Sequence, residues 1–151
     1  MQRRTMLKWL GASAALSACQ QTPRIYDMQV SRDVGCPCCH VWTELMEKTG
    51  RFRATMIDVP DLPTHKQKVG VPAELGSCHT ALVDGLVIEG HVPSEDILRL
   101  LADRPVGVKG IAVPGMPRGS PGMEQPNGLR DPYDVIAFRV DGGSYVFGHH
   151  E

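Results

Sequence analysis

Ile25-Tyr26-Asp27-Met28-Gln29-Val30-Ser31-Arg32-Asp33-Val34-Gly35-Cys36-Pro37-Cys38-Cys39-His40-Val41-Trp42 is the stretch from which the fold can be read. Its first seven residues alternate, with Tyr26, Met28 and Val30 on one parity and polar residues mostly on the other, which is the pattern of a half-buried strand. Asp33-Val34-Gly35 supplies a turn. From Pro37 the pattern becomes helical, with Val41, Trp42, Leu45 and Met46 as its apolar stripe and Gly50 as its stop. Proline suits the first helical turn, where its missing N–H is not needed. Arg51 to Val59 alternates again, so strand, cysteine turn, helix and strand follow one another.

Outward from that unit, Pro60 to Lys68 reads as a second helix closed by Gly70, and residues 71–76 as a loop or a short turn of helix. His79–Val83 and Leu86–Val92 form a hairpin about Asp84-Gly85, a strong turn signal. Pro93-Ser94-Glu95-Asp96 opens a third helix, with Ile97, Leu98, Leu100 and Leu101 on its stripe. The order β-α-β-α-β-β-α, with cysteines after the first strand, is that of a thioredoxin-like α/β fold. Residues 105–131 show no convincing periodicity and read as an irregular loop that wraps over something, because Pro114-Gly115-Met116-Pro117 and Ser120-Pro121-Gly122-Met123 look like paired Pro-Gly-Met turns. Pro132–Val140 and Ser144–Phe147 make a closing hairpin about Asp141-Gly142-Gly143.

Residues 1–18 read as an export signal: Arg3, Arg4 and Lys8 precede an apolar run too short to span a bilayer. Leu16-Ser17-Ala18-Cys19 matches a bacterial lipobox, making Cys19 the expected lipidation site; ordinary cleavage nearby is the alternative. Arg3-Arg4 also suits twin-arginine export, with Met6 in place of the usual aromatic, and a simple Sec leader fits as well. Residues 19–24 are then a tether and 25–151 the folded domain, in the bacterial periplasm or cell envelope, touching membrane only through the anchor. Beyond Lys8 the chain carries 13 basic and 17 acidic residues, which argues against nucleic acid as a partner.

Three of the five cysteines lie at positions 36, 38 and 39, and a fourth, Cys78, lies in the loop before the third strand. Residues three apart share a helix face, so Cys36 and Cys39 form a C-x-x-C pair with Cys38 to one side. The helix N-terminus favours thiolates there. Such a turn serves either thiol–disulfide exchange or metal binding. A third cysteine invites wrong disulfides in an oxidoreductase, whereas a metal cluster gains a bridging ligand from it. Cys78 also stands where thioredoxin-like enzymes usually present a cis-proline. Thiolates select copper(I), and two or more bridged ions fit this crowding. Zinc, with its tetrahedral pairs, and iron–sulfur clusters, with their different spacings, fit less well. His79, His91, Met116 and Met123 are candidate further ligands or supporting groups. His40 reads as solvent-facing, His149 and His150 as tail. No catalytic triad or carboxylate pair suggests a hydrolase.

The chain resembles the CopG-type copper-resistance family, also known as a family of uncharacterised metal-binding proteins. The resemblance rests on Gly35-Cys36-Pro37-Cys38-Cys39 with Trp42, on residues 71–80 ending in Ser77-Cys78-His79-Thr80, on Val87-Ile88-Glu89-Gly90-His91-Val92-Pro93, on the Pro-Gly-Met turns, and on Pro132-Tyr133-Asp134-Val135. It implies a thioredoxin-like fold, an envelope location and a cysteine-bridged copper cluster held by Cys36, Cys38, Cys39 and Cys78. The expected role is copper(I) binding in resistance or homeostasis, with copper ions and copper-handling envelope proteins as partners. A copper metallochaperone and a Cys36/Cys39 thiol–disulfide oxidoreductase are the alternatives.

Overall fold

The computed structural model describes residues 23–151, so the leader, Cys19 and most of the tether lie outside the described residues. The first strand, β1 (Tyr26–Arg32), leads into helix α1 (Pro37–Lys48), then β2 (Phe52–Asp58) and α2 (Leu62–Val69). A single 3-10 turn at Ala73–Leu75 precedes β3 (His79–Val83), β4 (Leu86–Glu89) and α3 (Ser94–Asp103). Three further strands follow: β5 (Val108–Ala112), β6 (Tyr133–Arg139) and β7 (Ser144–His150). All seven strands form one mixed sheet in the order β2-β1-β3-β4-β5-β6-β7. β1 runs parallel to β2 and antiparallel to β3, and β4 runs antiparallel to β3 and parallel to β5.

The sheet is covered on both faces because its central strands are apolar on both parities. Ile88 and Ile111 face one core with Trp42 and Met46 of α1 and Ile97, Leu100 and Leu101 of α3. Val87, Ala112 and Phe138 face a second, smaller core with Val71 and Leu75. Apolar burial of this kind contributes about 25 cal/mol for each Å² removed from water. The buried face of α1 is Cys39, Trp42, Thr43 and Met46. The stripe is therefore rotated from the sequence expectation: Val41 is exposed, and Cys39 opens the buried face instead.

Two expectations are corrected. Residues 108–112, read as part of an irregular loop, are β5, bonded to β4 and β6. Its periodicity is masked by Gly110 at the centre of a five-residue strand. Glycine is required there by crowding: an added Cβ would lie 2.0 Å from the Val87 carbonyl oxygen and 2.8 Å from the Phe138 ring. His149 and His150 are likewise not tail but the end of β7. His149 Nδ1 lies 2.6 Å from Asp134 Oδ1, and His150 Nε2 lies 2.6 Å from Asp96 Oδ2 while its ring stacks on Tyr133.

Gly110→Ala forces apart strands that are packed backbone to backbone. It should destabilise the chain by about 1–3 kcal/mol, the usual range for overpacking. Urea unfolding of the two proteins measures this, and an unchanged midpoint would remove the close approach of β5 to β4 as a constraint on the fold.

Candidate metal centre

The site lies at one end of the sheet because three strands begin or end there. β1 pairs with β3 so that Arg32 lies opposite His79, and β3 pairs with β4 so that Thr80 lies opposite Glu89. The turn after β1, the loop before β3 and the segment after β4 therefore meet. They bring the cysteines at 36, 38 and 39, Cys78, and His91 to one place.

Cys36 is the N-cap of α1 with extended backbone and no side-chain capping bond; Pro37 occupies the first turn. The sulfurs of Cys36, Cys38, Cys39 and Cys78 all lie within 4.8 Å of one another. Cys36 and Cys39 are joined as a disulfide, and Cys38 and Cys78 are free thiols. Cys38 Sγ is 3.5 Å from Cys36 Sγ and 3.9 Å from Cys78 Sγ. The expectation that Cys38 projects aside is thus not met; its sulfur turns in to join the other three. Cys39 is fully buried, and the other three are half-buried.

Two histidines complete the cluster. His91 is fully buried, with Nε2 2.9 Å from Cys78 Sγ and Nδ1 2.7 Å from the Pro121 carbonyl. A carbonyl only accepts, so Nδ1 carries the proton and Nε2 presents its lone pair to the Cys78 S–H. His79 is also fully buried, with Nδ1 3.2 Å from Cys78 Sγ. Because the thiol proton goes to His91, the sulfur accepts from His79 Nδ1–H. That leaves His79 Nε2 buried without a hydrogen-bond partner among the described residues. Cys78, His79 and His91 offer three donor atoms within 4.8 Å of one another. The Trp42 ring, 4.4 Å from that of His79, forms the apolar floor, and its Nε1–H donates to the Val92 carbonyl.

The electrostatics favour neutral groups. Burial, reinforced by the neighbouring Cys38, pushes the Cys78 thiol up to about 12, against a smaller downward pull from Ser77 and Lys66. At Cys78, desolvation outweighs the nearby positive charge of Lys66. Burial also holds His79 well below the usual histidine range, with His91 and Lys66 adding to it. His91 is lowered chiefly by burial, against the opposing Pro121 carbonyl and Glu124 carboxylate.

Among the other candidates, Met116 is half-exposed and Met123 half-buried, and neither belongs to an apolar core. His40 is exposed, as expected, and its Nε2 lies 3.1 Å from Glu44 Oε1. The segment after β5 does cover the first turn of α1. A Cβ on Gly122 would lie 3.3 Å from both the Cys38 carbonyl oxygen and His91 Nδ1.

Sequence reasoning missed the support behind Cys78. Glu89, fully buried at the end of β4, accepts from Lys66 Nζ at 2.5 Å, from the Ser77 N–H at 2.7 Å and from Thr80 Oγ1 at 2.6 Å. The signal was a carboxylate ending the apolar strand Leu86-Val87-Ile88.

A family described as a protein of unknown function, DUF411, matches residues 75–123, which hold Cys78, His79 and His91. A solved structure entitled copper resistance protein CopG, form 2, is 38% identical, covers 85% of this chain and 100% of its own, and superposes with a TM-score of 0.78. Form 1 is also 38% identical, over 85% of this chain and 98% of its own, with a TM-score of 0.76. No curated protein sequence matches. These findings define an α/β protein with a cysteine cluster able to hold metal. The chain belongs to the CopG-type copper resistance family.

The lowered histidines set a pH dependence for the metal-free chain. Above pH ~6.5, the ordinary histidine value, both imidazoles are neutral folded or unfolded. Below it the unfolded chain takes up protons that the buried rings refuse, so stability falls, by at most about 1.4 kcal/mol per pH unit for each histidine. Urea midpoints at pH 7 and 5.5 should drop accordingly, and His91→Gln should flatten the slope. A slope unchanged in that variant counts against His91 as a source.

Proposed function

We propose that this protein holds copper(I) in the cell envelope, in a thiolate cluster built from Cys36, Cys38, Cys39 and Cys78 in their reduced state, as part of copper resistance or homeostasis. The observation that carries the reading is the convergence of four sulfurs from two chain segments within 4.8 Å. Soft sulfur donors at this density suit copper(I), and shared thiolates suit more than one ion. The solved relatives, which are named as copper resistance proteins, point the same way. A dithiol reductant must first open the Cys36–Cys39 disulfide, giving up two electrons and two protons and leaving as its own disulfide, since a disulfide sulfur is a poor ligand. Each thiol then gives up its proton as metal binds. His79 and His91 stand beside Cys78 as further nitrogen donors or as its hydrogen-bond partners.

The thioredoxin-like reading is supported by the run β2-β1-β3-β4, with a parallel β1–β2 pair, a β3–β4 hairpin and helices α1 and α2 in the expected order. Burial of Cys39 and the covering turn at Gly122 favour retention of the ion over rapid hand-off to a partner. Among the described residues no helix is long and apolar enough to cross a membrane. Attachment through a lipidated Cys19 is the proposed anchor.

A second reading is favoured by the disulfide: exchange of electrons with other thiols through Cys36 and Cys39. Anaerobic, reduced protein separates the two. The copper cluster requires more than one copper ion per chain, with zinc and iron scarce. Cys78→Ser should lose most of that copper. Substoichiometric metal together with ready reduction and reoxidation of Cys36–Cys39 by a dithiol would establish the exchange reading instead. Separately, Cys19→Ala should move the protein from the membrane fraction to the soluble fraction; retention on membranes rules out the proposed anchor.

A further inference from the structure

The loop that carries Cys78 is tied on both sides to residues 89–90. Glu89 accepts from the residue before Cys78, through the Ser77 N–H at 2.7 Å, and from the second residue after it, through Thr80 Oγ1 at 2.6 Å. The Gly90 N–H donates to the His79 carbonyl at 2.9 Å. Gly90 has a φ of +74° and sits flush against the loop, since an added Cβ would lie 2.5 Å from Ser77 Oγ. Lys66, reaching in from α2, gives Glu89 its counter-charge at 2.5 Å and also donates to Thr80 Oγ1 at 2.9 Å.

A buried ion pair is a weak source of net stability, because desolvation offsets most of the attraction. Here all the remaining hydrogen bonds of the carboxylate go to the chain flanking one cysteine. We propose that Glu89, neutralised by Lys66, is a positioning residue that holds the Cys78 sulfur against Cys38 for metal binding. The inference rests on the reading of Cys78 as a copper(I) ligand. Glu89 does not touch the metal; it acts through the backbone of Ser77 and the hydroxyl of Thr80. Outer groups that orient a ligand typically change metal affinity 10- to 100-fold when removed.

Removing one partner alone strands a buried charge, so both are changed together. The variant Lys66→Met/Glu89→Leu replaces the pair with apolar side chains and deletes both bonds to the loop. Lys66→Met/Glu89→Gln removes the charge but keeps a carbonyl that can accept from Ser77. Copper(I) affinity is measured on the full reduced chain, under anaerobic conditions, by competition with a chromophoric chelator. The Leu variant should bind about 10- to 100-fold more weakly, and the Gln variant within about 3-fold of the parent, as expected when the orienting bond survives. In a Cys78→Ser background the Leu variant should cause no further loss, which a merely structural role would not predict. Parental affinity in a folded Leu variant overturns the proposal, as does an equal loss with Cys78 absent. Should the Leu variant not fold, Thr80→Val is read the same way: a loss confined to chains with Cys78 supports the proposal, and no loss overturns it. If Cys78→Ser alone leaves copper affinity unchanged, the ligand reading fails and the positioning role with it.

Discussion

The antiparallel register of β3 against β1 and β4 is the constraint on which the site depends. Pairing Arg32 with His79 fixes Cys78 one step beyond the sheet, beside the turn that starts α1. Pairing Thr80 with Glu89 carries the chain from β4 back past the same point, where His91 follows. A slip of one residue would turn every side chain of β3 to the opposite face. Ala81 and Val83 would then leave the core, and His79 would leave its place beside Trp42. The hydrophobic pattern of β3 thus protects the spacing of the sulfurs.

Burial in the metal-free site works against charge at Cys78, His79 and His91. One pair of sulfurs is bonded, the Cys78 thiol is protonated, and both histidines are held neutral by burial. An empty cluster of four thiolates in this half-buried pocket would carry strong mutual repulsion with little water to relieve it. Protons and a disulfide remove that charge when metal is absent. In the proposed loaded state, cations replace the protons.

Features encoded by neighbouring residues were legible in the sequence. Pro37 and Gly50 bracket α1, and Asp84-Gly85 marks the β3–β4 hairpin, because turn and cap chemistry acts over a few residues. The convergence of Cys78 with the cysteine turn was also anticipated, through the order of elements. What failed depended on contacts between distant segments. β5 was hidden because Gly110 answers to Val87 and Phe138, not to its own neighbours. The burial of His91 depends on a carbonyl thirty positions away, at Pro121. Glu89 looked like a polar break in a strand; its three donors come from α2, the cysteine loop and β3.

The segment that follows β5 acts on the site through that same Pro121 carbonyl. By accepting from His91 Nδ1–H, it leaves Nε2 as the lone pair facing Cys78. Gly122 then allows the backbone to close against the Cys38 carbonyl and the His91 ring, where a side chain would be crowded. The second Pro-Gly-Met turn therefore does more than lie against the first turn of α1. Its proline carbonyl selects the histidine tautomer, its glycine permits the approach, and its methionine lies outside both cores. A covering segment that also fixes the donor state of a buried imidazole couples coverage of the site to its chemistry. Displacing the turn would release the His91 ring and expose the cysteine turn together.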